Sequence, residues 1–401
     1  MPPTPDTSRP SWRFVFGGVL VLAMVTATQI PAGLGIVATF VRDDLGITRT
    51  QIGALITTTI IVGAVLSPLA GRIADLLGGR ASILLMFSTG AIAYLLLAAS
   101  PAYWMMFVPV AIVGVAQAAG NPVTNKLIAQ HAPPGRRGVV TGIKQSGVQA
   151  GVFVSGLVMP AIAVGLGWRW AFGVVVIVPL LGLAGSFWAL PDDRGGSDRV
   201  GRDRTDDHAP LPSAISYLSV YGGLLGLGAS YSYLIPLFAE ESLGFSEQAG
   251  GLAAGVVGFV SLFARIAWAR GADRRGTHDR SLLVIAVGSV GAVLLFLAAQ
   301  QWATWLLWPA VVTTGLTSSS WNSVGMLAVI DHAGPERSGR ASGVVMFGFL
   351  TGLAVGPTLF GRLIDTTGSY TSMWVTSLVV LVAASVLAVW WNRVSTNPPR
   401  R

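Results

Sequence analysis

Of the 26 lysines and arginines in this chain only two are lysines, and three of the cations interrupt apolar runs: Lys126, Lys144 and Arg265. An ionised side chain at the centre of a hydrocarbon layer costs about 2.5 to 3.5 kcal/mol even on insertion scales, so it is kept where a pathway or a ligand compensates it. No carboxylate lies inside an apolar run, because the 18 acids occupy tails, connections and run ends. The chemistry these types point to is therefore capture of an anion: a guanidinium forks onto a carboxylate, and an ammonium adds a mobile point charge. Lys144 shares a helical face with Thr141, Gln145 and Gln149, a spacing that makes a polar stripe suited to a cavity wall. Gln117, Asn121 and Asn125 form a similar stripe beside Lys126, and Asn322 repeats Asn121 in the second half of the chain. Lys126 stands nearer its run end, where snorkelling to water competes with ligand contact. Arg265 has packing between helices as its competing role. Gln29 and Tyr221 are candidate orienting groups, with burial as the alternative use of the tyrosine.

The elements that must position these groups follow from composition. With 52% hydrophobic residues, 11% charged residues and a mean hydropathy of +0.66, the chain is far from the composition of a soluble domain. Its solvent is a lipid bilayer. Despite a net charge of +8 the basic residues are scattered, which excludes a nucleic-acid face. Cysteine is absent, removing disulfide and thiolate chemistry. Neither a Walker loop nor an HExxH helix occurs, and the four histidines stand at connections or run ends, so no enzyme, metal or cofactor is expected.

Twelve runs approach the roughly 20 residues needed to cross hydrocarbon as a helix: 14–40, 52–70, 81–99, 103–130, 139–165, 168–190, 212–238, 248–269, 281–300, 303–330, 341–361 and 372–392. The first is too long for a signal-peptide core and is read as a retained helix. The expected architecture is an all-α integral membrane protein: twelve transmembrane helices in two pseudo-symmetric six-helix bundles, 1–190 and 214–401, joined by a polar linker over 191–213. Arg42, Arg49, Arg169 and Arg362 flank one side of the spans, while nearly all other arginines flank the side of the chain ends. By the positive-inside rule both termini and the linker are cytoplasmic, in a cell inner (plasma) membrane. Action as a monomer is expected.

The halves repeat. Leu45-Gly46, Thr48, Gly53, Arg72, Ala74-Asp75 and Gly78 recur as Leu243-Gly244, Ser246, Gly251, Arg270, Ala272-Asp273 and Gly276; further on, His131-Ala132, Pro134, Arg136 and Gly138 recur as His332-Ala333, Pro335, Arg337 and Gly339. Two halves of equal orientation imply a pseudo-twofold along the membrane normal with a site between them near the midplane.

The segment Gly71-Arg72-Ile73-Ala74-Asp75-Leu76-Leu77-Gly78-Gly79-Arg80 resembles the signature loop between the second and third helices of the major facilitator superfamily of transporters, departing from it at Leu76, where a basic residue is common. Its second-half copy is Arg270-Gly271-Ala272-Asp273-Arg274-Arg275-Gly276, and Gly167-Trp168-Arg169-Trp170 is another familiar form. An acid at a helix end that holds neighbouring arginines in one conformation and releases them in the other is a latch. Arg72, Asp75, Arg80, Arg270 and Asp273 are its expected members. Phe263-Ala264-Arg265-Ile266-Ala267-Trp268 resembles the eighth helix of oxalate/formate antiporters and monocarboxylate porters, in which an arginine at the matching place contacts the substrate carboxylate. Ser261 stands where the latter often carry an aspartate.

The function expected is secondary active or facilitative transport of a small organic anion, with a carboxylate as the expected class, by alternating access. A multidrug or hydrophobic-compound exporter and, from another class, a substrate-sensing membrane receptor are the alternatives. Because no titratable acid lies within a span, anion exchange or facilitated passage is expected as the basic mode.

Overall fold

The computed structural model describes residues 10–132, 137–190 and 210–396, so residues 191–209 of the expected linker lie outside the described residues. Within them the backbone is helical or in turns, the arrangement that satisfies backbone polar groups inside a bilayer. The crossings are α1 (Pro10–Ile36), α2 (Arg49–Leu77), α3 (Gly79–Ala98), α4 (Phe107–His131), α5 (Arg137–Leu166) and α6 (Trp168–Val175 continued by Ile177–Ala189). The second half has α7 (Ser213–Ala229, continued through Ser230–Leu234 into Ile235–Glu241), α8 (Glu247–Arg275) and α9 (His278–Gln301). A short helix, Ala38–Leu45, follows α1.

Among the described residues eleven helical stretches are long and apolar enough to span a membrane. The twelfth crossing, α10, is broken: Leu307–Leu316, a 3-10 turn at Ser318–Ser320, then the opening part of the helix Trp321–Thr367. The hydroxyl run Thr317-Ser318-Ser319-Ser320 explains the break, since short hydroxyl side chains compete for backbone groups; Ser320 Oγ donates to Gly315 O at 2.7 Å and Thr317 Oγ1 to Thr313 O at 2.7 Å. Trp321–Thr367 kinks at Gly334, whose φ of 76° suits glycine. The part after the kink is α11, and α12 is Thr371–Thr396.

Pseudo-symmetry appears in the turns. Gly46 and Gly244, Gly78 and Gly276, and Gly167 and Gly368 all have positive φ and occupy corresponding places in the two halves. The repeated glycines thus mark helix ends of positive φ, which side-chain-bearing residues resist. Thr48 starts α2 with a capping box to Gln51, and Ser246 caps α8.

The face carrying the chain ends is here the terminal face, and the opposite one the distal face. On the distal face Asp44 accepts from Trp168 Nε1 at 3.1 Å and from the Arg169 guanidinium, which also donates to Ser100 O at 3.2 Å. Arg169 holds the Asp44 carboxyl below its ordinary pKa. The Trp-Arg pair opening α6 is therefore a staple. On the terminal face, two neighbouring dipeptides cross-pair: His278 with Asp331, and His332 with Asp279 at 3.3 Å, while Trp391 Nε1 donates to Asp279 at 3.1 Å.

Candidate substrate site and distal gate

The halves meet along α2 against α11 and α5 against α8. Small residues permit the approach: Gly53 lies against the backbone of Pro357, and Gly156 against Gly251 and Gly255, the close packing that small residues allow between membrane helices. Thr57 Oγ1 donates to Ala354 O at 2.5 Å, Thr358 Oγ1 to Thr57 Oγ1 at 2.8 Å, and Ser261 Oγ to Gln149 Oε1 at 2.7 Å. These bonds reach the middle of the bundle.

The distal end is locked by charge. Asp365, near the end of α11, receives Arg49 N at 3.3 Å, Thr50 N at 2.8 Å, Thr50 Oγ1 at 2.6 Å and Arg49 Nη1 at 3.2 Å. A carboxylate of one half thus caps the positive N-terminus of a helix of the other. Glu241, ending α7, accepts from Arg42, from Arg49 Nε at 2.7 Å and from Tyr370 Oη. Glu240 accepts from Thr39 across the same seam.

Toward the terminal face the described residues lining the seam are less closely packed. A Cβ added at Gly142 of α5 or Gly343 of α11 would meet no atom within 4 Å, and Asn121 and Asn125 of α4 are exposed. Behind them Lys144 is buried, at 0% exposure. Its ammonium donates to Asn125 Oδ1 at 2.6 Å and Asn121 Oδ1 at 3.1 Å, and Gln145 Nε2 donates to the same Asn121 oxygen at 3.1 Å. An ammonium carries three donors, so two neutral amides leave it with its full charge and a spare hydrogen.

Sequence-selected residues divide into those gathered here and those held elsewhere. Lys144, Asn121 and Gln145 form one cluster. Gln149, from the same stripe, turns to Ser261 of α8. Gln29 donates to Ser155, and its Oε1 is a buried acceptor with no donor among the described residues; Asn322 Oδ1, beside the break in α10, is another. Lys126 Nζ lies 2.6 Å from Ala74 O, at the junction of α2 and α4. Tyr221 is buried within the second half and donates to Leu282 O at 2.7 Å. Arg265 directs Nε and Nη2 to Ser319 O at 3.2 and 3.0 Å, and Trp268 Nε1 reaches Leu316 O at 2.6 Å. Both side chains supply donors to carbonyls that the broken helix leaves open.

Among the expected latch residues, Arg72, Arg270 and Asp273 are exposed at the terminal face, and the Arg80 guanidinium lies 5.9 Å from the Phe187 ring centroid. Asp75 falls in the last turns of α2; its side chain lies outside the described residues. The distal carboxylates were not singled out from sequence. Their signal is weak: Glu240-Glu241 and Asp365 stand at run ends on the side that also carries Arg42 and Arg49.

Two helical halves closing on a seam, with polar groups buried at mid-depth, define a transporter fold. The chain belongs to the Major Facilitator Superfamily, whose sequence profile matches residues 14–357. It is 26% identical over 377 residues to a 2-nitroimidazole transporter of Escherichia coli (strain K12), covering 89% of each chain. It is 23% identical to a hexuronate transporter of Bacillus subtilis (strain 168), covering 95% of this chain and 94% of that one. A probable sulfoacetate transporter of Cupriavidus necator is 24% identical, with 96% and 95% covered. In fold it is similar to a bacterial homolog of the human lysosomal transporter Spinster, crystallised in an inward-facing and occupied conformation, with a TM-score of 0.78 at 16% identity and coverage of 96% and 98%. The protein is a multi-pass membrane transporter.

Proposed function

We propose that this transporter moves a small organic anion, acting as a monomer in an inner membrane with both termini cytoplasmic. The observation that carries this reading is Lys144, a fully buried ammonium whose partners among the described residues are side-chain amides. Charge buried without a counter-charge costs several kcal/mol more than a paired one, and a substrate anion relieves that cost when it enters. Asn121 and Asn125 stand between the ammonium and the open side of the seam, so a carboxylate or sulfonate displaces one amide and takes its hydrogen bond. Relatives named for hexuronate and sulfoacetate, both anions, support this reading. On this reading the seam closed at the distal face makes the cavity inward-facing, in the sense of the Spinster homolog. Emptying a cavity that contains an uncompensated cation disfavours its closure, so exchange of one anion for another is the basic mode.

The relative named for 2-nitroimidazole favours a second reading, export of a hydrophobic compound, in which Lys144 is a positioning group and charge is not selected. Flux into proteoliposomes separates the two. The first reading expects uptake of labelled hexuronate or sulfoacetate that rises on preloading with the same anion and is lost in Lys144→Met. Uptake of neutral nitroimidazoles that persists in Lys144→Met, with no anion flux in the parent, overturns it in favour of the second.

A further inference from the structure

Glu240 and Glu241 are adjacent on the last turn of α7, yet their surroundings differ. Glu241 receives two guanidiniums and a phenol. Glu240 is partly buried, and its hydrogen-bond donor is the hydroxyl of Thr39, which belongs to the other half of the molecule. On its other side, the first turns of α8 press against the carboxylate: a Cβ at Gly250 would stand 2.6 Å from Glu240 Oε1. Among the described residues no lysine, arginine or histidine forms an ion pair with Glu240. The charged groups facing it from each packed element are Asp43 on Ala38–Leu45, Glu247 on α8 and its neighbour Glu241; Arg42 and Arg49, the cations nearest in the seam, are bound to Glu241.

We propose that Glu240 is a proton-binding site that couples pH on the distal side to closure of the distal gate. With the gate closed, the carboxylate is wedged between Thr39 and α8 and faces Asp43, Glu247 and Glu241, so binding a proton removes a like charge from the closed seam. Parting of the halves breaks the Thr39 contact and admits water, and the proton leaves the carboxyl oxygen to that water. The closed state binds the proton more tightly than the open one, so by linkage acid favours closure and the preference fades as pH rises. The site lies at the seam's end, away from Lys144, so the proton acts on the balance of conformations and is not carried with substrate.

The test requires no substrate and therefore stands apart from the anion reading. The chain has no cysteine, so Pro101→Cys and Thr366→Cys, both at exposed distal positions in opposite halves, can carry spin labels in nanodiscs, and distances are measured by pulsed electron resonance from pH 5 to 9. The parent is expected to shift toward the shorter, closed distance as pH falls. Glu240→Gln is expected to hold the shorter distance at every pH, and Glu240→Asp to keep a pH response with a displaced midpoint. A parent insensitive to pH, or a Glu240→Gln protein that retains the parent's response, overturns the proposal.

Discussion

Each half carries a cation within an apolar span, Lys144 fully buried and Arg265 half-buried, and handles it differently. In the first half Lys144 sits on an uninterrupted helix and is held by side-chain amides. In the second half Arg265 is committed to the backbone carbonyl of Ser319, inside the break of α10. Side-chain amides rotate away at the cost of a rotamer; a backbone carbonyl in a helix break stays in place and keeps its need for a donor. The difference assigns the replaceable charge to the first half and a largely architectural one to the second.

Removing the two charges separates these roles most strongly. Lys144→Met is expected to abolish anion uptake while leaving thermal stability equal or higher, because an uncompensated buried charge is traded for an apolar group of similar length. Arg265→Met is expected to lower thermal stability as well as uptake, because the Ser319 carbonyl then lacks its donor, a loss of about 1 to 3 kcal/mol. Melting curves beside flux in liposomes check both. A destabilised Lys144→Met, or an Arg265→Met as stable as the parent, breaks the comparison. Arg265→Lys sharpens it: an ammonium supplies no fork, so partial recovery of stability without recovery of uptake assigns the guanidinium a substrate contact as well.

The next effect lies where the halves interlock. Asp365 of the second half caps α2 of the first through four hydrogen bonds. Asp365→Asn keeps the shape and removes the charge; charge-assisted bonds contribute about 1.5 to 3 kcal/mol, and every 1.4 kcal/mol is roughly tenfold in a population. The expected outcome is an increase of tenfold or more in the distally open state, measured by labelling of single cysteines placed in the seam. A labelling rate within twofold of the parent's contradicts the lock.

Much of the scaffold was legible in the residues, and much of the site was not. Hydropathy alone marks the runs because a bilayer demands continuous apolar helices, and the repeated glycines at 46 and 244 or 78 and 276 mark turns that need positive φ. Helical spacing placed Gln145 beside Lys144, and the structure adds Asn121 and Asn125 from α4. Spacing did not show that Gln149 turns to Ser261, because that partner comes from the other half. The same limit hid the distal lock: a carboxylate at the end of one run and an arginine at the start of another, 316 positions apart, carry no mutual signal in a single chain. The break in α10 was legible in principle as four hydroxyl residues in a row, but composition there also fits a polar cavity wall.

A smaller effect is expected at the terminal face. Asp75 and Asp273 occupy repeated positions, and Asp273 is exposed in this conformation. If the acids act as a latch on the opposite state, Asp75→Asn changes the transport rate by several-fold while substrate affinity stays near the parent's. Single-turnover flux and ligand-induced thermal shift measure the two quantities separately. Equal rates under matched expression remove Asp75 from the cycle.

The smallest effect contrasts the two repeated histidines. His131 of the first half lies by the backbone oxygen of Leu127 and the rings of Trp12 and Phe16, whereas His332 of the second pairs with Asp279. The hydrogen bond that His332 donates to Asp279 raises the pKa of the imidazole, against partial desolvation. A histidine raised on folding contributes stability that is fully present below its unfolded value of about 6.5 and is lost as pH climbs through the higher folded value. Because the pair is partly exposed and screened, about 1 kcal/mol or less is at stake. Thermal unfolding of the parent is therefore expected to weaken slightly from just above pH 6.5 upward, and His332→Gln to remove that portion of the slope. The second half, already dependent on Arg265 to hold a broken helix, is the half in which such a small contribution is visible. If His332→Gln leaves the slope intact, the Asp279 contact is geometric and the asymmetry between the halves is confined to their cations.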